Sequence, residues 1–173
     1  MKKKLIFLML ATLLLTPWPV AYAHDDTMSG QASIQIEAAE PAASPQWQAF
    51  GNAIGGVTPG DLFYIDSDNN TADMPFTLSI TNTNELIHHY RYLTLNVGIY
   101  VQTGTDQWEK ATKGNGELLP DTYITMLNGK VSFTLPGYAK YKITIDKGCF
   151  YCYGTDADGN AASPAFYLDA GQA

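Results

Sequence analysis

The stretch that decides the fold is Met74–Val101, MPFTLSITNTNELIHHYRYLTLNVGIYV. It holds two runs, Phe76–Asn82 and Tyr90–Val101, on either side of the polar cluster Asn82-Thr83-Asn84-Glu85. In the first run Phe76, Leu78 and Ile80 fall on one side of an extended chain and Thr77, Ser79 and Thr81 on the other. Alternation with period two marks a strand with one wet face, and aromatic and β-branched content supports it. In the second run Tyr92, Leu93, Leu95, Val97, Ile99 and Val101 are apolar, so most of it reads as buried. The stretch predicts a long antiparallel pair, turned at Asn82–Glu85, as the spine of a sandwich core. His88-His89 falls in the connecting loop, where two neighbouring side chains of an extended chain point apart and face solvent.

The same pattern continues outward. Gln31–Ala38 (QASIQIEA) puts Ala32, Ile34, Ile36 and Ala38 on one face and Ser33, Gln35 and Glu37 on the other. A Pro/Ala linker, Glu40-Pro41-Ala42-Ala43-Ser44-Pro45, follows, and its prolines cannot continue a ladder. Asp61–Ile65 reads as a strand, Asp66–Asp73 as a loop and Gln107–Ala111 as a strand. Thr122–Leu135 carries Asn128-Gly129 between two alternating runs, the pattern of a hairpin with a type I′ turn. Tyr138–Asp146 alternates again, with Tyr141, Ile143 and Ile145 inward and Lys140, Lys142 and Thr144 outward. Ala165–Leu168 is the last strand. About nine or ten short strands, with turn signals every 8–12 residues or so, predict an all-β antiparallel sandwich of jelly-roll or immunoglobulin-like type.

The chain opens with Lys2-Lys3-Lys4, an apolar run to Leu15 broken only by Thr12, and Ala21-Tyr22-Ala23. A basic start, a short apolar core and an A-x-A site make a secretory leader of bacterial type, residues 1–23. No later run approaches the roughly 20 apolar residues of a membrane span. Residues 24–45 then form the N-terminal strand and linker, and 46–173 the sandwich domain. The leader carries three of the ten basic residues and none of the seventeen acids, which leaves seven against seventeen, a net charge of −10. So acidic a chain, with no basic run, is a poor partner for nucleic acid. The expected location is extracellular or at the cell surface.

Several constellations carry candidate chemistry. Cys149 and Cys152, the chain's two cysteines, read as a disulfide across a tight turn, as befits an exported protein. Asp66, Asp68, Asn70 and Asp73 present side-chain oxygens at the near-alternate spacing of a calcium loop, and Asp156, Asp158 and Asn160 repeat it in brief. Asp and Asn are also the ordinary material of surface turns, which is the plainer reading. His24 would become the first residue after processing. Its amino group and imidazole, with His88 or His89, could brace copper as in lytic polysaccharide monooxygenases, although Asp25-Asp26 and a polar stretch follow it. The sequence contains neither G-x-S-x-G nor H-E-x-x-H. Trp47 and Trp108, with Tyr64, Tyr90, Tyr92, Tyr100, Tyr123, Tyr138 and Tyr141, could line a sugar-binding face or equally fill strands and core.

Thr58-Pro59-Gly60-Asp61, Phe76–Asn82, Asn84-Glu85-Leu86 and Tyr92–Val97, taken in that order behind a leader and a short apolar strand, resemble the secreted TasA/camelysin-type proteins. That resemblance implies a jelly-roll sandwich that builds biofilm fibres by donating an N-terminal strand to its neighbour. Cys149 and Cys152 and the Pro/Ala linker depart from it. The expectation is therefore a non-catalytic structural or adhesive protein without a required cofactor. It would self-associate through Ala32, Ile34, Ile36 and Ala38, with a cell surface or glycan as further partner. The rival expectations are a carbohydrate- or calcium-binding module and, more remotely, a copper enzyme.

Overall fold

A computed structural model describes residues 21–23, 34–40, 45–48, 54–112, 119, 122–152 and 162–171. The strands are β1 (Ala21–Ala23), β2 (Gln35–Ala38), β3 (Gln46–Gln48), β4 (Ile54–Thr58), β5 (Gly60–Asp66), β6 (Met74–Ile80), β7 (Tyr90–Gly104), β8 (Gln107–Lys110), β9 (Thr122–Thr125), β10 (Lys130–Leu135), β11 (Lys140–Cys152) and β12 (Phe166–Ala170). Among the described residues a single short helix, α1 (Thr83–His89), joins β6 to β7.

The strands form two sheets. The smaller has the order β1-β12-β6-β10, antiparallel except for β1, which runs parallel to β12. In the larger sheet β7 and β11 lie antiparallel, with Val101 opposite Tyr141 at one end and Tyr90 opposite Cys152 at the other. β5 and β4 follow one another along the far side of β11, and β8 and β9 along the far side of β7. β2 pairs with β5 and β3 with β4.

The inner faces meet in one core. β6 alternates strictly, with Met74, Phe76, Leu78 and Ile80 buried. They share a cluster with Phe166 and Leu168 of the smaller sheet and with Phe63, Ile65, Leu93, Leu95, Val97, Ile143 and Ile145 of the larger. Phe133 of β10 stands opposite Phe76 and stacks on it at 5.9 Å. The antiparallel all-β sandwich is the observed fold. Its strands number twelve among the described residues, and two are long, fifteen residues in β7 and thirteen in β11.

The connectivity differs from the expectation in three places. The two runs of Met74–Val101 do not pair with each other: β6 belongs to the smaller sheet and β7 to the larger. Between them Asn82–Glu85 starts a helix rather than a hairpin turn. α1 buries Leu86 completely, and Asn82 ties the crossover to the chain end before β12, accepting from Ala165 N at 2.8 Å and donating to Ser163 O at 2.9 Å. Second, Asn128-Gly129 makes a turn but not a hairpin, because β9 pairs with β7 and β10 with β6. A type I′ turn needs two positive φ values, and only Gly129 (φ 60°) has one. Asn128 instead accepts from Thr125 N at 2.8 Å, and the turn hands the chain from one sheet to the other.

The third difference concerns the cysteines. Cys149 and Cys152 lie within β11, not in a turn, and no disulfide joins them. Three residues of extended chain span about 10 Å, beyond the roughly 4.4–6.8 Å that a disulfide bridges. Cys149 is exposed and Cys152 is buried. A bulge explains the phase: Ile145 pairs with Val97 but Lys147 with Asn96, so Asp146 is the extra residue. Odd positions face the core before it (Tyr141, Ile143, Ile145) and even ones after it (Phe150, Cys152).

Candidate functional site

Register places a band of polar and aromatic side chains on the outer face of the larger sheet. Glu37, Tyr64, Lys142, Tyr100 and Lys110 form one row across β2, β5, β11, β7 and β8, each opposite the next. Gln35, Asp66 and Lys140 begin the neighbouring row, and Gln102 and Trp108 stand opposite each other beside it. Asp61 and Thr144 pair in the row beyond.

Trp108 reaches across this band. Its ring centroid lies 6.1 Å from that of Tyr64, and the Lys142 ammonium sits 5.3 Å from its centre. The same ammonium and that of Lys110 each lie 5.7 Å from the centre of Tyr100. A cation near an aromatic face is held by the ring quadrupole. Each ammonium also has a carboxylate, Lys142 with Asp61 at 3.2 Å and Lys110 with Asp146 at 3.3 Å. Tyr64 donates its hydroxyl to Asp61 at 2.6 Å, Tyr100 to Asp146 at 2.9 Å, and Thr144 to Asp146 at 2.6 Å. Burial, reinforced by these carboxylates, pushes the Tyr64 and Tyr100 phenols up from 10.0 to about 12.

Two depressions flank Trp108. One, of about 220 Å³, is walled by Trp108, Tyr64, Gln35, Glu37, Gln102 and Lys140 among others. The other, of about 510 Å³ and more open, lies over Asp61, Lys142, Tyr100 and Asp146. The face thus presents ring faces, amide and hydroxyl groups and paired charges beside two depressions.

Of the aromatic residues singled out in the sequence, the structure brings together Tyr64, Tyr100 and Trp108. Tyr90 and Tyr141 are buried, and Tyr92 packs on Tyr151 at 6.4 Å. Tyr123 and Tyr138 are exposed outside the band, and the Trp47 side chain lies outside the described residues. No sequence motif marks Lys142, Lys110, Asp61 or Asp146 as site residues. The outward position of Lys142 was legible from alternation, but its partners follow only from register.

The other candidates are dispersed. In the Asp66–Asp73 loop Lys140 binds Asp66 at 2.8 Å and Asp68 at 3.5 Å. The hydrogen bond from Lys140 holds the Asp66 carboxyl below the usual carboxylate range. Asp66 also accepts from Asp68 N, and Asn70 from Ala72 N, so these oxygens brace a turn. Asp73 is exposed. Among the described residues no three His, Cys, Asp or Glu are placed to hold a metal ion. His88 and His89 stand in the last turn of α1, His24 lies outside the described residues, and so does the loop holding Asp156, Asp158 and Asn160.

β2 sits at the rim of this face. Ile36 is buried opposite Ile65, and Ile34 packs against the core. Ala38, expected on the same inward face, is exposed, and Ala39 is buried in its place, donating its N–H to Leu62 O at 2.9 Å. Ala32 lies outside the described residues. Among the described residues no helix is long and apolar enough to cross a membrane. No known family profile matches the chain, and no curated protein matches it significantly.

Proposed function

We propose that this protein is a non-catalytic, extracellular β-sandwich subunit that self-associates by exchanging its N-terminal strand between copies. The observation that carries this reading is the placement of β2. It is a four-residue strand at the end of its sheet, in register among the described residues with β5 alone and with one buried side chain of its own, Ile36. Burying an isoleucine contributes about 1.5–3 kcal/mol, so a copy of β2 from a neighbour can replace the resident strand at little net cost. The leader-like sequence of residues 1–23, whose last three residues form β1 beside β12, supports an exported protein, and the Pro/Ala composition after β2 is that of an extended spacer, which suits a terminal strand that reaches another subunit. Main-chain hydrogen bonds along β5 would give affinity, and Ile34 and Ile36 would set register.

Light scattering on the chain from His24 onward, which lacks β1 and is first shown to be folded by circular dichroism, tests this. The wild type forms multimers, and Ile34→Asp/Ile36→Asp yields a folded monomer. A wild type that stays monomeric at all concentrations contradicts the reading, as does a double variant that unfolds.

A further inference from the structure

We propose that the depression beside Trp108 binds one ring of a neutral polysaccharide chain, which continues across the indole into the second depression. Four observations converge. The first is aromatic: Trp108 and Tyr64, 48° apart and 6.1 Å between centres, offer amphipathic rings at the rim of a concavity. The slightly positive C–H groups on the apolar face of a pyranose match the negative face of an indole. The second is polar: the Gln35 and Gln102 amides and the Glu37 carboxylate line the same concavity, a donor and acceptor set suited to vicinal hydroxyls.

The third is size. About 220 Å³ is less than the roughly 300–1,000 Å³ of pockets that enclose a drug-sized ligand. It has room for a single ring, and an open mouth suits a chain that runs on. The larger depression lies on the other side of Trp108, where the chain would continue. The fourth is charge. Glu37 and Asp66 line the first depression against Lys140, which is already bonded to Asp66 and Asp68, and Asp61 and Asp146 line the second against Lys142, which is bonded to Asp61. The wall is therefore net negative in a strongly acidic protein, and uronic acid or sulfated chains are repelled.

The inference requires β2 in place, whichever copy supplies it, because Gln35 and Glu37 stand on that strand. It therefore fails or holds separately from strand exchange. Titration calorimetry on the chain from His24 onward, with cellohexaose, mannohexaose, maltohexaose and polygalacturonate, tests it. At least one neutral hexaose binds and polygalacturonate does not. Trp108→Ala and Gln102→Ala each weaken binding by about tenfold or more, as expected for a central contact, while light scattering shows oligomeric state unchanged. Gln102→Ala guards against a Trp108→Ala variant that fails to fold. Absence of binding to all three neutral hexaoses overturns the proposal. So does retention of binding in a folded Trp108→Ala variant, or equal affinity for polygalacturonate.

Discussion

Tyr64 and Tyr100 each donate a hydroxyl to a carboxylate on the outer face of the larger sheet, and both phenols are raised to about 12. A tyrosine is neutral when protonated, so a raised folded value favours the folded chain below pH 10. That contribution is lost as pH climbs from 10 through about 12. Absorbance at 295 nm during alkaline titration should show a late-ionising group of tyrosines, and Tyr64→Phe and Tyr100→Phe should each remove one equivalent from it. Ionisation of both with the exposed tyrosines near pH 10 would contradict the geometry. Gly98 lies on the same face, where a Cβ would overlap the Asp146 carboxylate and the Thr144 hydroxyl. Gly98→Ala should therefore cost about 1–3 kcal/mol in denaturant unfolding, because the Thr144–Asp146–Tyr100 hydrogen bonds must open. None of this was legible in Tyr100, Thr144 or Asp146 taken singly. Alternation gives a side chain's face, but its neighbour comes from pairing across 46 residues of sequence.

At the scale of elements, alternation was a good guide wherever a strand stayed in phase. β6 and the first half of β11 have the faces that the sequence shows. It failed where a strand changes phase or a turn changes sheet. The Asp146 bulge shifts β11 by one residue, so Lys147, Gly148 and Cys149 break the period and disguise a continuing strand as a turn. One consequence is chemical: in the folded chain one thiol, Cys149, should react quickly with a disulfide reagent, and Cys152 only on unfolding. Two thiols reacting at one rate, or none, would contradict the strand assignment. α1 is not legible for another reason, since seven residues burying a single leucine show too little of a 3.6 period to detect. Leu86→Ala should still destabilise by about 2–5 kcal/mol, because that side chain is wholly buried where the chain crosses between sheets.

For the whole molecule, fold class was readable from many short alternating runs, whereas topology was not. Sandwich connectivity depends on which turns cross between sheets, and Asn82–Glu85 and Asn128-Gly129 look the same in sequence whether they cross or fold back. Under the proposed strand exchange, β2 is the element through which the molecule would meet its own copies. Pairing with β5 satisfies the same hydrogen bonds in one chain or between two, so the choice depends on tethering and concentration. The most direct measurement is therefore a cross-link at Ile36 and Ile65, which face each other in the β2–β5 register. Ile36→Cys and Ile65→Cys are combined in a chain also carrying Cys149→Ser and Cys152→Ala, oxidised, and run on a non-reducing denaturing gel. Strand exchange predicts a ladder of covalently linked multimers. A single band of internally cross-linked monomer at every protein concentration would contradict it.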